Sequence, residues 1–344
     1  MILHRDRNGH SLPEYGVDIP TAFNKAGRTL EALKSDRFLG SRVGRWLTLL
    51  EDARVARDDL LRVHSREYVE RLFSDRLEEE IIRTYELEDE NGFTPRYQPD
   101  RATQPLSGLL ERALANAAGT YRCCRLALES GFCFYLGGGA HHAQRDYGTG
   151  FCLVNDIMIA VRRLQAEEAV RTVWVIDLDV HKGDGTAALT RGDESVVTLS
   201  IHMAKGWPLD GPPVLADGTP NLSFVPSDID IPVDSGEEHR YVHRLRDGLK
   251  SLTAYPRPDL AVVVAGVDAY EKDELPSTSR LNLTKGQLRT RDRLVYRFLT
   301  RRRIPRAYLM AGGYGRWSWE IYTQFLLWAL KRHLKRRRDG SRTS

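Results

Sequence analysis

The sequence predicts an α/β fold in which a central, mostly parallel sheet is flanked on both faces by helices. Three observations carry that prediction. Five short apolar runs, most of them rich in β-branched or aromatic residues, are bounded by Gly, Pro or charged positions and read as buried strands. Helix-length patterns lie between them, and strand alternating with helix indicates parallel pairing with helices on both faces. Finally, groups capable of chemistry sit just past the ends of four of these runs, where open parallel sheets bind ligands.

Taken in order, the first hundred residues read as helices over Thr21–Leu33, Val55–Leu61 and Tyr68–Ile82 with polar connections. The polar stretch Glu88–Thr103 reads as an exposed loop of the kind that shapes a substrate site. The strands follow at Phe132–Leu136, Val173–Asp177, Val196–Ile201, Leu260–Val267 and Arg306–Met310, with helices at Asp156–Ala166 and Glu237–Tyr255 among the connections. No internal repeat, low-complexity tract or Pro/Ser-rich linker divides the 344 residues, so a single domain over 1–344 is expected, with a basic C-terminal tail from about residue 331.

Composition narrows the class. Apolar residues make up 41% of the chain and charged residues 28%, the balance of a soluble globular protein. The longest apolar runs fall short of the roughly 20 residues that cross a bilayer. Met1-Ile2-Leu3 is followed at once by His4, Arg5, Asp6 and Arg7, so neither a membrane partner nor a secretory leader is expected and the expected location is cytoplasmic. Cys123, Cys124, Cys133 and Cys152 lack the spacing of a structural zinc site and read as buried free thiols. The net charge of +4 is mild. Basic runs at Arg301–Arg303 and Lys331–Arg338 read as solvated helix faces favoured near helix C-termini. A nucleic-acid partner is therefore not expected, and self-association is left open.

The four strand ends supply His141-His142, Asp177-Leu-Asp179-Val-His181, Asp268 and Gly312-Gly313-Tyr314. Asp177, Asp179 and His181 fall on one side of an extended segment if the period of two continues through them. Two carboxylates and an imidazole suit a borderline divalent ion such as Zn²⁺, and Asp179, His181 and Asp268 supply three ligands with a position left open for water. Asp177 is then free for the surroundings of the site or for a monovalent cation. The same motif taken alone also fits a strand-end turn with capping carboxylates. The glycines before His141-His142 let the backbone pass close to a ligand. Two histidines beside a metal suit proton transfer, provided that carboxylates such as Asp177 and Asp184 fix their tautomers; metal ligation or a core role are the alternatives. Tyr314 suits oxyanion stabilisation, or else a place in the core.

Taken together, Gly137-Gly-Gly-Ala-His141-His142-Ala, Gly150-Phe151-Cys152-Leu-Val-Asn155-Asp156, Asp177-Leu-Asp179-Val-His181-Lys-Gly-Asp184-Gly, Ala265-Gly266-Val-Asp268 and Ala311-Gly312-Gly313-Tyr314 resemble the histone deacetylase family. Val63-His64-Ser65-Arg66-Glu67-Tyr68-Val69 and Arg280-Leu281-Asn282-Leu283-Thr284 match its habits outside the site. The resemblance covers about residues 50–320 and implies a three-layer arginase/deacetylase fold. It also implies zinc-dependent hydrolysis of acylated lysine in a protein or peptide, or of a small N-acyl-amine.

Carried over by position, Asp179, His181 and Asp268 are the zinc ligands, His142 the general base and acid, and His141 an electrostatic aid. Asp177 and Asp184 pair with the two histidines, and Tyr314 holds the oxyanion. Gly150, Phe151 and Trp207 line the acyl-lysine tunnel, and Leu275 stands where polyamine-specific relatives carry a Glu, with Glu271, Asp273 and Glu274 as neighbouring acids that a one-residue gap would bring to that place. A structural potassium ion would use Asp177, Asp179, His181, Ser200 and the Ile201 carbonyl. Lys182 departs from the family pattern. The short His202–Pro208 segment, with its Trp207, is closer to the class IV-like bacterial branch. Glu14–Pro20 lacks the usual entry motif. Within the same implied superfamily, an acetylpolyamine amidohydrolase and a binuclear manganese ureohydrolase are the alternatives.

Overall fold

The computed structural model describes residues 1–5, 11–20, 24–50, 54–89, 91 and 93–340. The start of the predicted helix at 21–23, part of the loop at 88–103 and the end of the predicted tail at 341–344 lie outside them. Eight strands make one sheet: β1 (Ile2–His4), β2 (Leu47–Leu49), β3 (Phe132–Tyr135), β4 (Val173–Asp177), β5 (Val196–Met203), β6 (Ile229–Val233), β7 (Leu260–Val264) and β8 (Arg306–Leu309). Their order is β2-β1-β3-β8-β7-β4-β5-β6, and every ladder is parallel.

All five predicted strands are present. Those at 260 and 306 end earlier than expected, at Val264 and Leu309, and that at 196 runs on to Met203. The sequence reading missed β1, β2 and β6. The first two are three residues long, too short to show a period, and β6 is interrupted by Asp230 and Pro232. Proline is tolerated there because β6 lies at the sheet edge.

Alternation along the strands sorts the core into two layers. Phe132, Phe134, Trp174, Ile176, Ala261, Val263 and Tyr308 face one side. That side is covered by α1 (Lys25–Ser35), α2 (Arg37–Gly40), α9 (Tyr241–Ser251), α10 (Lys285–Arg301) and α11 (Ser318–Gly340). Cys133, Tyr135, Val173, Val175, Val262, Val264 and Leu309 face the other. There the cover is α3 (Arg57–Leu61), α4 (Arg66–Leu72), α5 (Leu77–Thr84), α6 (Gly108–Ser130) and α7 (Asp156–Ala166). The remaining helix, α8 (Asp184–Thr190), follows β4.

Two helix readings need correction. The predicted helix Tyr68–Ile82 is split into α4 and α5 at Phe73–Arg76, where the Ser74 hydroxyl accepts from the Arg76 N–H and competes with the helical ladder. The predicted tail from 331 is, up to Gly340, the continuation of α11. Leu334 is buried, and Lys331 pairs with Asp36 at 2.6 Å. Cys123, Cys124, Cys133 and Cys152 are all buried free thiols. No helix among the described residues is long and apolar enough to cross a membrane.

One buried cation ties the strand ends together. Arg291 on α10 is fully buried, and its guanidinium donates to the Leu178 carbonyl at 2.9 Å and the Gly266 carbonyl at 2.8 Å. Its Nε pairs with Asp292 at 2.8 Å. These two carbonyls belong to the loops after β4 and β7, so the register of the two loops depends on Arg291. Removing one member of such a buried pair leaves an uncompensated charge. Arg291→Met should cost about 3–5 kcal/mol in urea unfolding. Asp292→Asn in the same background should recover part of that loss, whereas a single variant as stable as the parent would show that the brace is dispensable.

Candidate active site

The loops that follow β3, β8, β7 and β4, four consecutive strands of the sheet, converge on one buried cluster. Their local folding explains the convergence. Asp177 ends β4, and the chain then bends instead of extending. Asp177 Oδ1 accepts from the Asp179 N–H at 3.1 Å, and Asp179 Oδ1 accepts from the His181 N–H at 3.1 Å. The expectation of an extended segment with three side chains on one side is thus corrected: successive carboxylate-capped turns bring them together.

Asp268 lies four residues past the end of β7, and its Oδ1 accepts from the Val180 N–H at 2.9 Å. From the loop after β8, the Gly312 N–H donates to Asp179 Oδ2 at 3.0 Å. A Cβ at Gly312 would stand against the carboxylates of both Asp179 and Asp268, well inside van der Waals contact, so only glycine fits there.

Asp179, His181 and Asp268 are buried, and their potential ligand atoms lie within 4.8 Å of one another. His181 Nδ1 is 3.3 Å from Asp179 Oδ1 and 3.4 Å from Asp268 Oδ2, while its Nε2 is 3.2 Å from Ser277 Oγ, which fixes the ring. Asp268 Oδ2 is buried and completes no hydrogen bond among the described residues. Burial and the Asp179 charge push the Asp268 carboxyl up to about 6. Burial also opposes ionisation of Asp179, but the His141 and His181 charges outweigh it and hold that carboxyl well below the usual range. An uncompensated oxygen among two carboxylates and an imidazole is what a divalent cation would complete, so the donor set fits zinc.

Beside this cluster stand the two histidines. Gly138 and Gly139 take φ of 74° and 90°, so the turn after β3 can offer the Gly139 and Ala140 N–H groups to Asp156 at 3.0 and 2.6 Å. The turn presents His141 and His142, whose ring centres are 3.9 Å apart. His141 Nδ1 is 2.7 Å from Asp177 Oδ2, and His142 Nδ1 is 2.7 Å from Asp184 Oδ1. Burial works against the charged form of His141, yet the Asp177 and Asp179 charges lift it to about 10. For His142, burial and the neighbouring His141 charge prevail over Asp184 and lower it to about 4.

Two cavities meet at His142, Gly150, Phe151, His181 and Tyr314. One, of about 220 Å³, opens between Phe151, Trp207, Leu275 and Ser277, with Glu86 and Arg96 at the mouth paired at 2.7 Å. The other, of about 170 Å³, continues behind the histidines toward Arg112 and Asn116. Trp207 packs edge-on to His142 at 4.5 Å, and Phe151 sits 6.5 Å from Tyr314. Ser200 is the partner of Asp177 in the β4–β5 ladder, and its buried hydroxyl has no hydrogen-bond partner among the described residues; Ile201 follows it, buried. The departure at Lys182 also has a physical outlet, since its ammonium turns to Asp230 at 3.0 Å.

Several residues that shape the site escaped the sequence reading. Gln144 and Ser223 donate to Asp184 Oδ2 at 2.9 and 3.0 Å. Lys25 donates to the carbonyls of Ala311 and Gly313 at 2.5 and 3.1 Å, and Asp273 accepts from the Tyr314 N–H at 2.7 Å. Burial and the Asp268 charge raise the Asp273 carboxyl to about 7. Nothing local in the sequence marks Lys25, Gln144 and Ser223, because each acts across a long separation; Asp273 is legible as an acid beside Leu275, but not as the partner of Tyr314. His64 stood in a recognisable segment, but its role is visible only here. Its Nδ1 donates to the Gln144 carbonyl at 2.9 Å, and its Nε2 accepts from the Asn155 N–H at 3.1 Å, tying the histidine loop to the start of α7.

With this geometry in view, the comparisons assign a class. The histone deacetylase domain matches residues 20–329, and the chain belongs to the histone deacetylase family. It is 33% identical over 224 residues to an uncharacterized protein of Picosynechococcus sp., covering 65% of this chain and 69% of that one. Histone deacetylase 2 of Arabidopsis thaliana is 26% identical over 295 residues, 86% of this chain and 69% of its own length. A probable deacetylase of Archaeoglobus fulgidus is 27% identical over 235 residues, 67% and 60% of the two chains.

His64 also generates a pH prediction. Burial lowers its pKa to about 4, so the folded protein holds it neutral while the unfolded chain protonates near its ordinary 6.5. Its contribution is therefore complete above pH 6.5 and is lost as pH falls toward 4, by about 3 kcal/mol in all. Urea unfolding of the parent and of His64→Gln should show a stability gap that narrows by that amount across this window. A gap independent of pH would show that His64 does not titrate as described.

Proposed function

We propose that this chain is a zinc-dependent amidohydrolase that removes an acyl group, acetyl foremost, from N-acyl-lysine or a related N-acyl-amine, with residues 1–344 as one catalytic domain. The observation that carries the reading is the buried Asp179–His181–Asp268 group with its uncompensated carboxylate oxygen, set where two cavities meet and beside two carboxylate-backed histidines. Zinc held by these three residues would polarise an acyl carbonyl and lower the pKa of a water toward about 7.

The protein's own groups do the rest. His142, neutral at pH 7, takes the proton of the attacking water through Nε2 while Asp184 holds Nδ1. His141, paired with Asp177, keeps positive charge beside the reacting carbonyl. The Tyr314 hydroxyl donates to the oxyanion as it forms. His142 then returns its proton to the leaving amine, and the acid and the free amine depart. Phe151 and Trp207 wall the methylene chain, with Gly150 at the rim. A potassium ion held by Asp177, Asp179, His181, Ser200 and the Ile201 carbonyl is supported by the unpartnered Ser200 hydroxyl.

An N-acyl-lysine is favoured over an N-acyl-polyamine. Leu275 lines the mouth, and Glu86, the acid there, is already paired with Arg96. A binuclear manganese ureohydrolase needs a second acidic cluster. Ala269 and Tyr270 follow Asp268, and the described residues hold one candidate metal group, Asp179–His181–Asp268.

Dialysis against a chelator should abolish deacylation, and one equivalent of zinc per chain should restore it. Recovery that requires two manganese ions would move the chain to the ureohydrolase reading. Tyr314→Phe should lower kcat by on the order of 10²–10³ while zinc content is unchanged; near-normal turnover would remove Tyr314 from the mechanism. Acyl-lysine peptides of varied chain length should turn over faster than acetylputrescine and acetylspermidine in a side-by-side assay.

A further inference from the structure

A strongly basic groove lies outside the site just described. It is a groove of about 550 Å³ between α9 and α10. Arg246 and Lys250 line it from α9 and face Arg289, Arg293, Arg297 and Arg301 from α10. Arg302 closes one end, and no carboxylate contributes to the lining. None of these seven cations has an ion-pair partner among the described residues. That contrasts with Arg240 and Arg244 on the same stretch of chain, which are both paired to Glu237.

The four α10 arginines follow one another at i, i+4 spacing, so they form a single ridge about 18 Å long with a guanidinium roughly every 6 Å. Like charges at this spacing repel, and holding them in line costs stability unless something opposite lies along them. The crowding is felt at Arg293. Its Nε is buried with no hydrogen-bond partner among the described residues, and burial together with the Arg289 and Arg297 charges lowers its pKa. Two rings flank the ridge. Arg302 covers Phe298 at 3.9 Å, and Arg293 and Arg297 stand 5.1 and 5.4 Å from the Trp328 ring of α11.

We propose that this groove binds the phosphate backbone of a single-stranded nucleic acid, independently of sequence. Charge complementarity requires a polyanion, and the length and linear spacing of the ridge select an extended one over a compact one. Six of the seven cations are arginines, whose planar forks match phosphate oxygens in pairs. Guanidinium planes and the flanking rings offer stacking surfaces for bases of any identity. A concave channel between neighbouring helices admits one strand, whereas a flat anionic surface would reach only its rims. Of the basic runs expected to be solvated helix faces, Arg301 and Arg302 instead line this channel, and Lys331–Arg338 contributes nothing to it. The reading also goes beyond deacylation, since no residue of the groove lines either cavity of the active site.

The test uses the full chain and a fluorescent oligothymidylate of about 16 nucleotides, a length that spans a single-strand site. Anisotropy titrations at several salt concentrations should give a slope of log K against log salt of about −3 to −4, corresponding to about five phosphates. The variant Arg289→Gln/Arg293→Gln/Arg297→Gln/Arg301→Gln should bind at least tenfold more weakly, with the slope flattened by about 3. Its thermal unfolding should be no lower than the parent's, since four mutually repelling charges are removed, and its turnover of acyl-lysine should match the parent, which separates loss of binding from loss of fold. Unchanged affinity and slope in the variant would overturn the proposal. So would equal competition by polyglutamate, which would make the partner an acidic peptide, or by tripolyphosphate, which would make the ligand compact.

Discussion

The site rests on an electrostatic conflict: two carboxylates, Asp179 and Asp268, are held together out of water at the ends of neighbouring strands. Left to themselves they would separate or share a proton; burial first, and then the Asp179 charge, raise the Asp268 pKa. The fold resists by giving each carboxylate a backbone donor that it cannot leave. Val180 holds Asp268, and His181 and Gly312 hold Asp179. What remains is one carboxylate oxygen with no partner and an imidazole aimed at it. The site thus stores an affinity for a cation, and the rest of the architecture keeps it from relaxing.

That architecture is specific about where rigidity is needed. Arg291 reaches from α10 to carbonyls in both metal-side loops, so their spacing is set by a single buried guanidinium and not by the loops themselves. His64 does the equivalent for the histidine loop from the opposite helical layer. Lys25 holds the carbonyls of Ala311 and Gly313 on either side of Gly312, so the N–H that binds Asp179 is itself fixed from α1. The braces come from α10, α1 and the segment before α4, so both helical layers contribute, which explains how four loops of irregular structure can hold distances that catalysis requires within a few tenths of an ångström.

How much of this was legible in the sequence follows from separation along the chain. The five central strands show themselves because they are buried on both faces, and the reactive residues stand out because parallel sheets place ligands past their strand ends. Asp177, Asp179 and His181 were grouped for a reason that does not hold locally: the segment is bent, and carboxylate-capped turns produce the convergence that an extended strand was expected to give. Lys25, Gln144 and Ser223 could not be picked out, since each becomes significant only through a partner brought near by tertiary packing. The same applies to the α10 arginines. Their i, i+4 spacing can be read from the chain, but a helix face is solvated or lines a channel according to what packs beside it, and here that is α9.

The two adjacent histidines show how a site assigns roles to identical groups. Both are buried, both point Nδ1 at an aspartate 2.7 Å away, and their rings nearly touch. The difference lies in what surrounds the aspartates. His141 is exposed to the charge of Asp179 as well as that of Asp177. The carboxylate behind His142 also accepts from Gln144 and Ser223, which draws off part of its pull, and the imidazoles of His141 and His181 lie on its other side. Environments that push two neighbouring groups apart in pKa are how a fold distributes acid and base work. His141 is then the group that stays charged and His142 the one free to accept a proton. A cation on Asp179 and His181 would weaken the pull on His141 and repel a proton from His142 as well.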